Sequence, residues 1–273
     1  MNRSSLKYLI VGLLAGGLVS SGIDAAALVS PGSPIAAGTA AVHTVKKKKG
    51  KKKKKVKAKK KKKAALAPPA APPAGIPLVG LFRFTPGAFA GGNVSGSYVR
   101  LIQPGGSVEK GPFFVNPNSK ATTYTLLSPG TEGGLRTGSY QEPPNPAFSP
   151  TGDALTNRIM APQRFAFILY SLSTAPKDPQ TGLDVPPPSI SVSDGTLSGQ
   201  LQAFSAQWNK QFFNQGSPKP DGSSPGLTSP VTGTYNADTK AYTLQWTSQI
   251  VGGAFNNFSG VWHIEGIFEP RCG

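Results

Sequence analysis

The sequence predicts an all-β fold: an antiparallel β-sandwich with long Pro/Gly-rich loops, preceded by a disordered Lys-rich arm. From Leu78 onward, short segments alternate apolar and polar residues, which is the period of a strand. Loops rich in Gly, Pro, Ser and Asn separate these segments, and no stretch keeps helical spacing. Each predicted strand has one apolar face, so two sheets can bury those faces against each other. A barrel is the alternative.

Residues 1–27 have the three parts of a secretory signal peptide. Arg3 and Lys7 form the positive end, an uncharged apolar run follows, and three alanines ending at Ala27 provide a cleavage site. The apolar run of about sixteen residues is shorter than the roughly 20 needed to span a bilayer. We predict cleavage after Ala27 and export to the periplasm, the cell surface or the extracellular space. The mature chain would then have no transmembrane segment. An uncleaved anchor is the alternative.

The segment 46–63 holds fifteen lysines in eighteen residues and follows an uncharged, flexible lead at 28–45. Its like charges repel and it contains almost nothing apolar, so we predict that it is disordered by itself. The Pro/Ala linker at 64–77 favours polyproline II, a semi-rigid spacer of about 3.1 Å per residue. The predicted anion-binding residues are Lys46, Lys47, Lys48, Lys49, Lys51, Lys52, Lys53, Lys54, Lys55, Lys57, Lys59, Lys60, Lys61, Lys62 and Lys63.

The high net charge belongs to this polylysine tract and not to the predicted β domain at 78–273. The chain carries a formal charge of +17, whereas residues 64–273 hold twelve basic and eleven acidic side chains. The tract has no arginine for bidentate base contacts and no aromatic residue for stacking, which argues against sequence-specific nucleic-acid binding. Each lysine near an anionic surface contributes about 1 kcal/mol of attraction. The expected partners are therefore lipopolysaccharide, acidic lipid head groups, acidic polysaccharide or extracellular DNA, and a solvated tail without a target is the alternative.

The alternation of apolar and polar residues predicts ten strands, at 78–84, 95–102, 112–115, 122–127, 164–172, 189–192, 196–208, 233–235, 242–249 and 260–268. The clearest hairpin joins 233–235 to 242–249 through Asn236, Ala237 and Asp238. Within 196–208 the apolar parity changes, which predicts a β-bulge or bend near Ala203. Long loops are predicted at 128–163, 173–188 and 215–230.

The sequence predicts no catalytic site, metal or cofactor, and we expect that the protein is not an enzyme. His43 and His263 are its only histidines, and with one cysteine they leave no zinc site of ordinary spacing. His263 lies on the less apolar face of its strand, which favours a sheet-face histidine over a general base. No G-x-S-x-G elbow or Gly-rich phosphate loop is present. The loop aspartates fit turn capping better than calcium binding, because none has the D-x-D-x-D-G pattern; these are Asp153, Asp184, Asp194 and Asp221.

The tryptophans and the cysteine favour structural roles. Trp208, Trp246 and Trp262 lie on the apolar faces of their strands, so core packing is favoured over a surface that stacks on sugars. Cys272 is the single cysteine, which excludes an intrachain disulfide. We expect it to be an idle terminal thiol, and an intermolecular thiol is the alternative.

One region resembles a known group of domains. The segment WNKQFFNQGS, followed by VTGTYNADTKAYTLQWTSQIVGGAFNNFSGVWHIEGIFEP, is similar to the C-terminal half of exported bacterial β-rich domains of poorly known role. In that group a Trp-Asn strand precedes a G-x-Y…Y-x-L-x-W hairpin and a closing Gly-x-Trp strand. Such domains often occur in PEP-CTERM-sorted surface proteins, although this chain ends Glu-Pro-Arg-Cys-Gly without the sorting tail. The resemblance covers 204–270 and implies an exported β domain without implying catalytic residues.

Together these features predict an exported, non-enzymatic protein whose polylysine arm attaches a β-sandwich to anionic envelope or extracellular matrix polymers. The alternative is a carbohydrate- or ligand-binding module, in which the loops of the β domain bind and the arm only localises the protein. In that case loop aromatics such as Phe148 or Phe212 are expected to contact the ligand.

Overall fold

A computed structural model describes residues 75–271. The predicted signal peptide, the lead, the polylysine tract, His43, most of the linker and Cys272 lie outside the described residues. The described part is all β and contains no helix, hence none that could span a membrane. Every strand pairing within it is antiparallel, which confirms the predicted fold class.

The strands, in chain order, are β1 (Ile76–Pro77), β2 (Gly80–Phe84), β3 (Ala88–Ala90), β4 (Asn93–Ser95), β5 (Tyr98–Ser107), β6 (Gly111–Phe113), β7 (Thr125–Leu126), β8 (Gly134–Arg136), β9 (Gln163–Phe165), β10 (Ile168–Thr174), β11 (Ser189–Ser193), β12 (Thr196–Gln200), β13 (Phe204–Trp208), β14 (Gln211–Asn214), β15 (Val231–Tyr235), β16 (Ala241–Gln249) and β17 (Ser259–Pro270). They form an eleven-stranded main sheet, a four-stranded sheet in the order β14-β13-β10-β9, and a separate β3–β4 ribbon.

The main sheet is organised around β17. One side of this strand pairs with β16, which continues through β15, β12 and β11 to β1. On the other side, residues 259–263 pair with β5 and residues 266–270 pair with β2. The sheet therefore divides into two branches beyond β17, with β6 and β7 added to β5 and with β8 added to β2.

The four-stranded sheet packs against the inner face of the main sheet. The Phe204 ring of β13 meets Trp246 and Trp262 edge-on, at centroid distances of 5.4 and 5.2 Å. The two indoles stack on each other at 5.7 Å, and all three tryptophans of the chain are buried. This packing confirms a sandwich rather than a single closed sheet, and it confirms that the tryptophans belong to the core.

The change of parity near Ala203 corresponds to a corner between the two sheets. Strand β12 ends at Gln200 in the main sheet, and β13 begins at Phe204 in the four-stranded sheet. The turn between them is closed by a hydrogen bond from the Phe204 N–H to the Leu201 carbonyl at 2.9 Å. A bend was therefore the correct alternative, because the chain changes sheets there and so changes which face it buries.

The predicted β15–β16 hairpin is present, with Tyr235 opposite Tyr242. The Asn236 carboxamide oxygen accepts from the backbone N–H groups of Asp238 and Thr239, both at 2.9 Å, which stabilises the turn. On β16, the apolar residues Tyr242, Leu244 and Trp246 are buried; these are the residues that the alternation assigns to one face.

Several strands differ from the predicted ones. The predicted strand 164–172 is a hairpin, β9–β10, because the chain turns at Ala166, which has a left-handed conformation with φ of 54°. Such a conformation is uncommon for a residue other than glycine, so the sequence does not indicate a turn at this alanine. The predicted loop 128–163 contains β8, and the ribbon β3–β4 and strand β14 are also additional. Each of these strands has only three or four residues, too few to display alternation. Strand β1 lies in the last residues of the expected linker.

Candidate functional site

The outer face of the main sheet carries a row of polar and aromatic side chains across four adjacent strands. Strand register places Thr232 of β15 beside Gln245 of β16, Gln245 beside His263 of β17, and His263 beside Tyr98 of β5. Thr232 and Gln245 are exposed, whereas His263 and Tyr98 are half-buried. We name these four residues and Tyr124 the outer-face row. Because neighbouring strands lie about 4.8 Å apart, the row offers an extended surface to a ligand.

His263 is fixed in orientation by both of its ring nitrogens. Its Nε2 lies 3.0 Å from the Glu265 carboxylate, and its Nδ1 lies 3.2 Å from the side-chain amide of Gln245. An N–H at Nε2 that donates to Glu265, with Nδ1 accepting from Gln245, satisfies both contacts. The ring is thereby held nearly parallel to Tyr98, with a centroid distance of 4.8 Å and an interplanar angle of 15°. His263 is thus a sheet-face histidine, as its parity predicts.

An open pocket of about 440 Å³ lies at the aromatic end of the row. Tyr98 and Tyr124 line it with their rings edge to face at 5.0 Å. The β3–β4 ribbon forms another wall through Phe89, whose side chain is 42% exposed, together with Asn93 and Val94. This volume falls within the range of about 300–1,000 Å³ that is usual for small-molecule sites.

Arg100 lies next to the pocket, where it contacts the lining residue Tyr124. Its guanidinium carbon lies 3.3 Å from the centre of the Phe113 ring and 4.5 Å from that of Tyr124, so the group is stacked between two aromatic rings. The buried Nε of Arg100 has no hydrogen-bond partner, and no ion pair within residues 75–271 involves this arginine. Arg100 is therefore a cation held by stacking, without a carboxylate partner in the described part of the chain.

The chemistry of this pocket suits a ligand with both apolar faces and hydroxyl groups. The two tyrosines line the pocket with aromatic carbon, and their hydroxyls can donate and accept hydrogen bonds. Burial raises the pKa of the Tyr98 hydroxyl, and the adjacent Tyr124 adds to the shift. The Tyr98 hydroxyl therefore keeps its proton near neutral pH and remains a donor.

Two other cavities have different characters. An apolar cavity of about 70 Å³ lies between the two sheets among core residues such as Phe165, Trp208 and Phe255. A second pocket, of about 580 Å³, is lined by Lys219, Asn214 and Asp221. The Lys219 ammonium is buried and donates to the Asn214 carbonyl at 2.8 Å and the Ser248 hydroxyl at 2.6 Å. Both acceptors belong to the domain itself. These hydrogen bonds explain the buried position of Lys219 without a bound ligand.

The structure places only some of the residues that the sequence analysis considered as functional candidates, and none of them lines the tyrosine pocket. The polylysine tract and Cys272 lie outside the described residues. Phe148 and Phe212 are half-buried against each other, with centroids 5.1 Å apart, and do not line the tyrosine pocket. Asp221 caps a turn as predicted, since its carboxylate accepts from the N–H and hydroxyl of Ser223. Residues 75–271 contain no cluster of three or more His, Cys, Asp or Glu side chains that could hold a metal ion.

Tyr98, Arg100 and Tyr124 did not stand out in the sequence as site residues. Tyr98 and Arg100 alternate with Val99 and Leu101 on β5, and this spacing alone places them on the less apolar face. Their proximity to His263 depends on the pairing of β5 with β17, which lie more than 150 residues apart in the chain. Alternation can therefore indicate the face, but it does not indicate which strands meet there.

Comparison of the chain with protein-family models, with curated proteins and with solved structures finds no match. The resemblance to exported bacterial β-rich domains stays a prediction.

Proposed function

We propose that this is an exported, non-enzymatic protein whose polylysine arm attaches a β-sandwich to anionic envelope or extracellular matrix polymers. The observation that carries the proposal is the segregation of charge. Fifteen of the 29 basic side chains lie within the eighteen residues 46–63. A lysine tract of this density attracts any polyanion through many weak contacts rather than through one specific site.

The charges of the β domain support this division of roles. Arg83 pairs with Glu269 at 2.6 Å. Glu132 pairs with Arg136 at 2.7 Å and also contacts Arg158. Because these basic side chains already have acidic partners, they add little to a field that would attract a polyanion. The polylysine tract is then the main electrostatic attachment point of the protein.

A salt series tests this proposal. The full-length protein and a variant lacking 46–63 are titrated with heparin and with lipopolysaccharide vesicles at increasing ionic strength. We expect the affinity of the full-length chain to fall steeply with salt, because each anionic group that a lysine neutralises releases bound counterions. The deletion variant should bind weakly and show almost no salt dependence. Equal retention of both proteins would contradict the proposal.

A second candidate function is carbohydrate binding by the β domain, which the outer-face row and its 440 Å³ pocket favour. Aromatic faces beside hydroxyl, amide and imidazole groups form a surface that can stack on a sugar ring and bond its hydroxyls. In this case the arm only localises the protein, and Tyr98 and Tyr124 replace Phe148 and Phe212 as the expected contacts.

The carbohydrate function is tested by screening the full-length protein against a panel of oligosaccharides. Tyr124→Ala removes one ring of the pocket, and Phe212→Ala is the matched control because it removes an aromatic ring outside it. We expect loss of about 1–3 kcal/mol of binding free energy for Tyr124→Ala, by analogy with other aromatic stacking contacts. Absence of binding to every glycan, or an equal effect of the two substitutions, would overturn this candidate.

A further inference from the structure

We propose that the tyrosine pocket takes an acidic sugar, a uronic acid unit of a polysaccharide, and that Arg100 binds its carboxylate. This inference rests on the second candidate function and names the class of saccharide. It assigns a role to Arg100, whose guanidinium lies over the ring of the pocket residue Tyr124.

The position of Arg100 fits such a role. Tyr98 and Arg100 are two residues apart on β5, so their side chains leave the same face of the strand. Tyr124 contacts both, with its ring 5.0 Å from the Tyr98 ring and 4.5 Å from the Arg100 guanidinium carbon. A ligand stacked on the tyrosines therefore lies within reach of the guanidinium.

The stacking of Arg100 prepares it to bind an anion. A guanidinium between two rings is held in one orientation, so less conformational entropy is lost when it forms a hydrogen bond. Arginine binds a carboxylate through two parallel N–H donors, a geometry that a planar carboxylate matches. Arg100 has only partial exposure and no acidic partner within residues 75–271, so an incoming carboxylate would not compete with an existing ion pair.

Two other titratable groups close to Tyr98 are already engaged. Glu265 accepts from the Gly96 N–H at 3.0 Å, and its carboxylate lies 3.0 Å from His263 Nε2. His263 is held between Glu265 and Gln245. Arg100, by contrast, has no ion-pair partner within residues 75–271, and its positive charge favours an anionic ligand.

A uronic acid fits this arrangement better than a phosphate group alone. A pyranose ring carries a flat C–H face for the tyrosines, hydroxyls for the polar groups of the row, and one carboxylate for Arg100. A free phosphate offers nothing to the tyrosine rings. The polylysine tract would attract the same acidic polysaccharide through its charge alone, without distinguishing one sugar unit from another.

The test uses the full-length protein with isotopically labelled tyrosine, because the chain has only seven tyrosines and binding at the pocket is reported by Tyr98 and Tyr124. The polylysine tract itself contains no tyrosine. The probes are trigalacturonic acid and the matched neutral trisaccharide of galactose. We expect both to shift the Tyr98 and Tyr124 resonances, with tighter binding of the acidic trisaccharide.

Substitution of Arg100 distinguishes the contribution of its charge to binding from that of sugar stacking on the tyrosines. Arg100→Gln should weaken trigalacturonic acid at least about tenfold, because a hydrogen bond to a charged group is lost, and should leave the neutral trisaccharide unchanged. Retained binding of the neutral sugar also shows that the variant is folded. Arg271→Gln, an exposed arginine whose loss changes the net charge equally, is the control and should bind as wild type.

Three other results would overturn the inference, and each would show which part of it is wrong. If both trisaccharides bind but Arg100→Gln affects them equally, saccharide binding survives and the role of Arg100 is wrong. If neither trisaccharide shifts the two tyrosines, the carbohydrate candidate loses its support and this inference falls with it. If inorganic phosphate displaces trigalacturonic acid as effectively as galacturonic acid does, the pocket is a general anion site and the ligand class is wrong.

Discussion

At the scale of the residue, Lys219 is a buried ammonium group whose ionisation is coupled to folding. It is only 5% exposed, and burial lowers its pKa to about 8, although Asp178 and Asp221 oppose the shift. In the unfolded chain the same amine titrates near 10.5. The folded domain therefore bears the cost of a desolvated ammonium whenever the pH is below about 8.

This difference predicts how stability depends on pH. Between about pH 8 and 10.5 the unfolded state binds more protons at Lys219 than the folded state does, so the free energy of unfolding should rise with pH. The rise attributable to this residue is about 3 kcal/mol at most. Chemical denaturation of wild type and Lys219→Met across this range checks it. The substitution should remove the rise, and parallel pH profiles for the two proteins would contradict the assignment.

Gln215 is a buried residue that satisfies the polar groups of two tryptophans. Its backbone carbonyl accepts from Trp246 Nε1 at 2.8 Å, and its side-chain oxygen accepts from Trp262 Nε1 at 3.1 Å. Substitution by leucine would keep the first bond and leave the Trp262 N–H buried without a partner. Such an orphaned donor costs about 1–3 kcal/mol.

A double-mutant cycle tests this role of Gln215. We expect Gln215→Leu to lower the free energy of unfolding by about 1–3 kcal/mol. In the background of Trp262→Phe, where no indole N–H is present, the same change should cost clearly less. The measurement is urea denaturation of the four proteins. Additive effects would mean that the destabilisation comes from altered packing and not from the lost acceptor.

At the scale of the element, the register of β15 and β16 depends on Gly233. This residue lies opposite Leu244, and a Cβ added to it would overlap the carbonyl oxygen of Thr243. A side chain is therefore excluded unless the two strands separate. We expect Gly233→Ala to destabilise the domain by about 1–3 kcal/mol, as overpacking does. Thr232→Ala, on the exposed face of the same strand, should stay within about 0.5 kcal/mol in thermal denaturation. A tolerated Gly233→Ala would show that the strands can part without cost.

The same elements indicate how far the sequence could predict the fold. Strands β16 and β17 were predictable because each alternates over nine or more residues with large apolar side chains on one face, and the Asn-Ala-Asp turn then indicated β15 as the hairpin partner of β16. Strands β8 and β14 were not, since three or four residues establish no period. The corner at Ala203 was visible because a change of sheet changes the buried parity. The outer-face row was not, because it depends on the long-range pairing of β5 with β17.

At the scale of the whole molecule, the domain must be stable without covalent cross-links. Cys272 is the only cysteine in the 273 residues, so no disulfide can form within the chain. Its stability comes from apolar burial between the sheets and from the hydrogen bonds of the ladders. We expect the same melting temperature with and without a reducing agent. A shift on reduction would indicate an intermolecular disulfide through Cys272, which a non-reducing gel would reveal as a covalent dimer.

The division of the main sheet at β17 has a consequence for the order in which the domain can assemble. This strand comes after all the others in the described chain, yet it joins β16 on one side to β5 and β2 on the other. During synthesis, β16, β5 and β2 therefore each have one edge without its partner strand until β17 is present. The sheet can close only when the final residues arrive. A nascent domain of this topology depends on being shielded from neighbouring chains until its last strand is released.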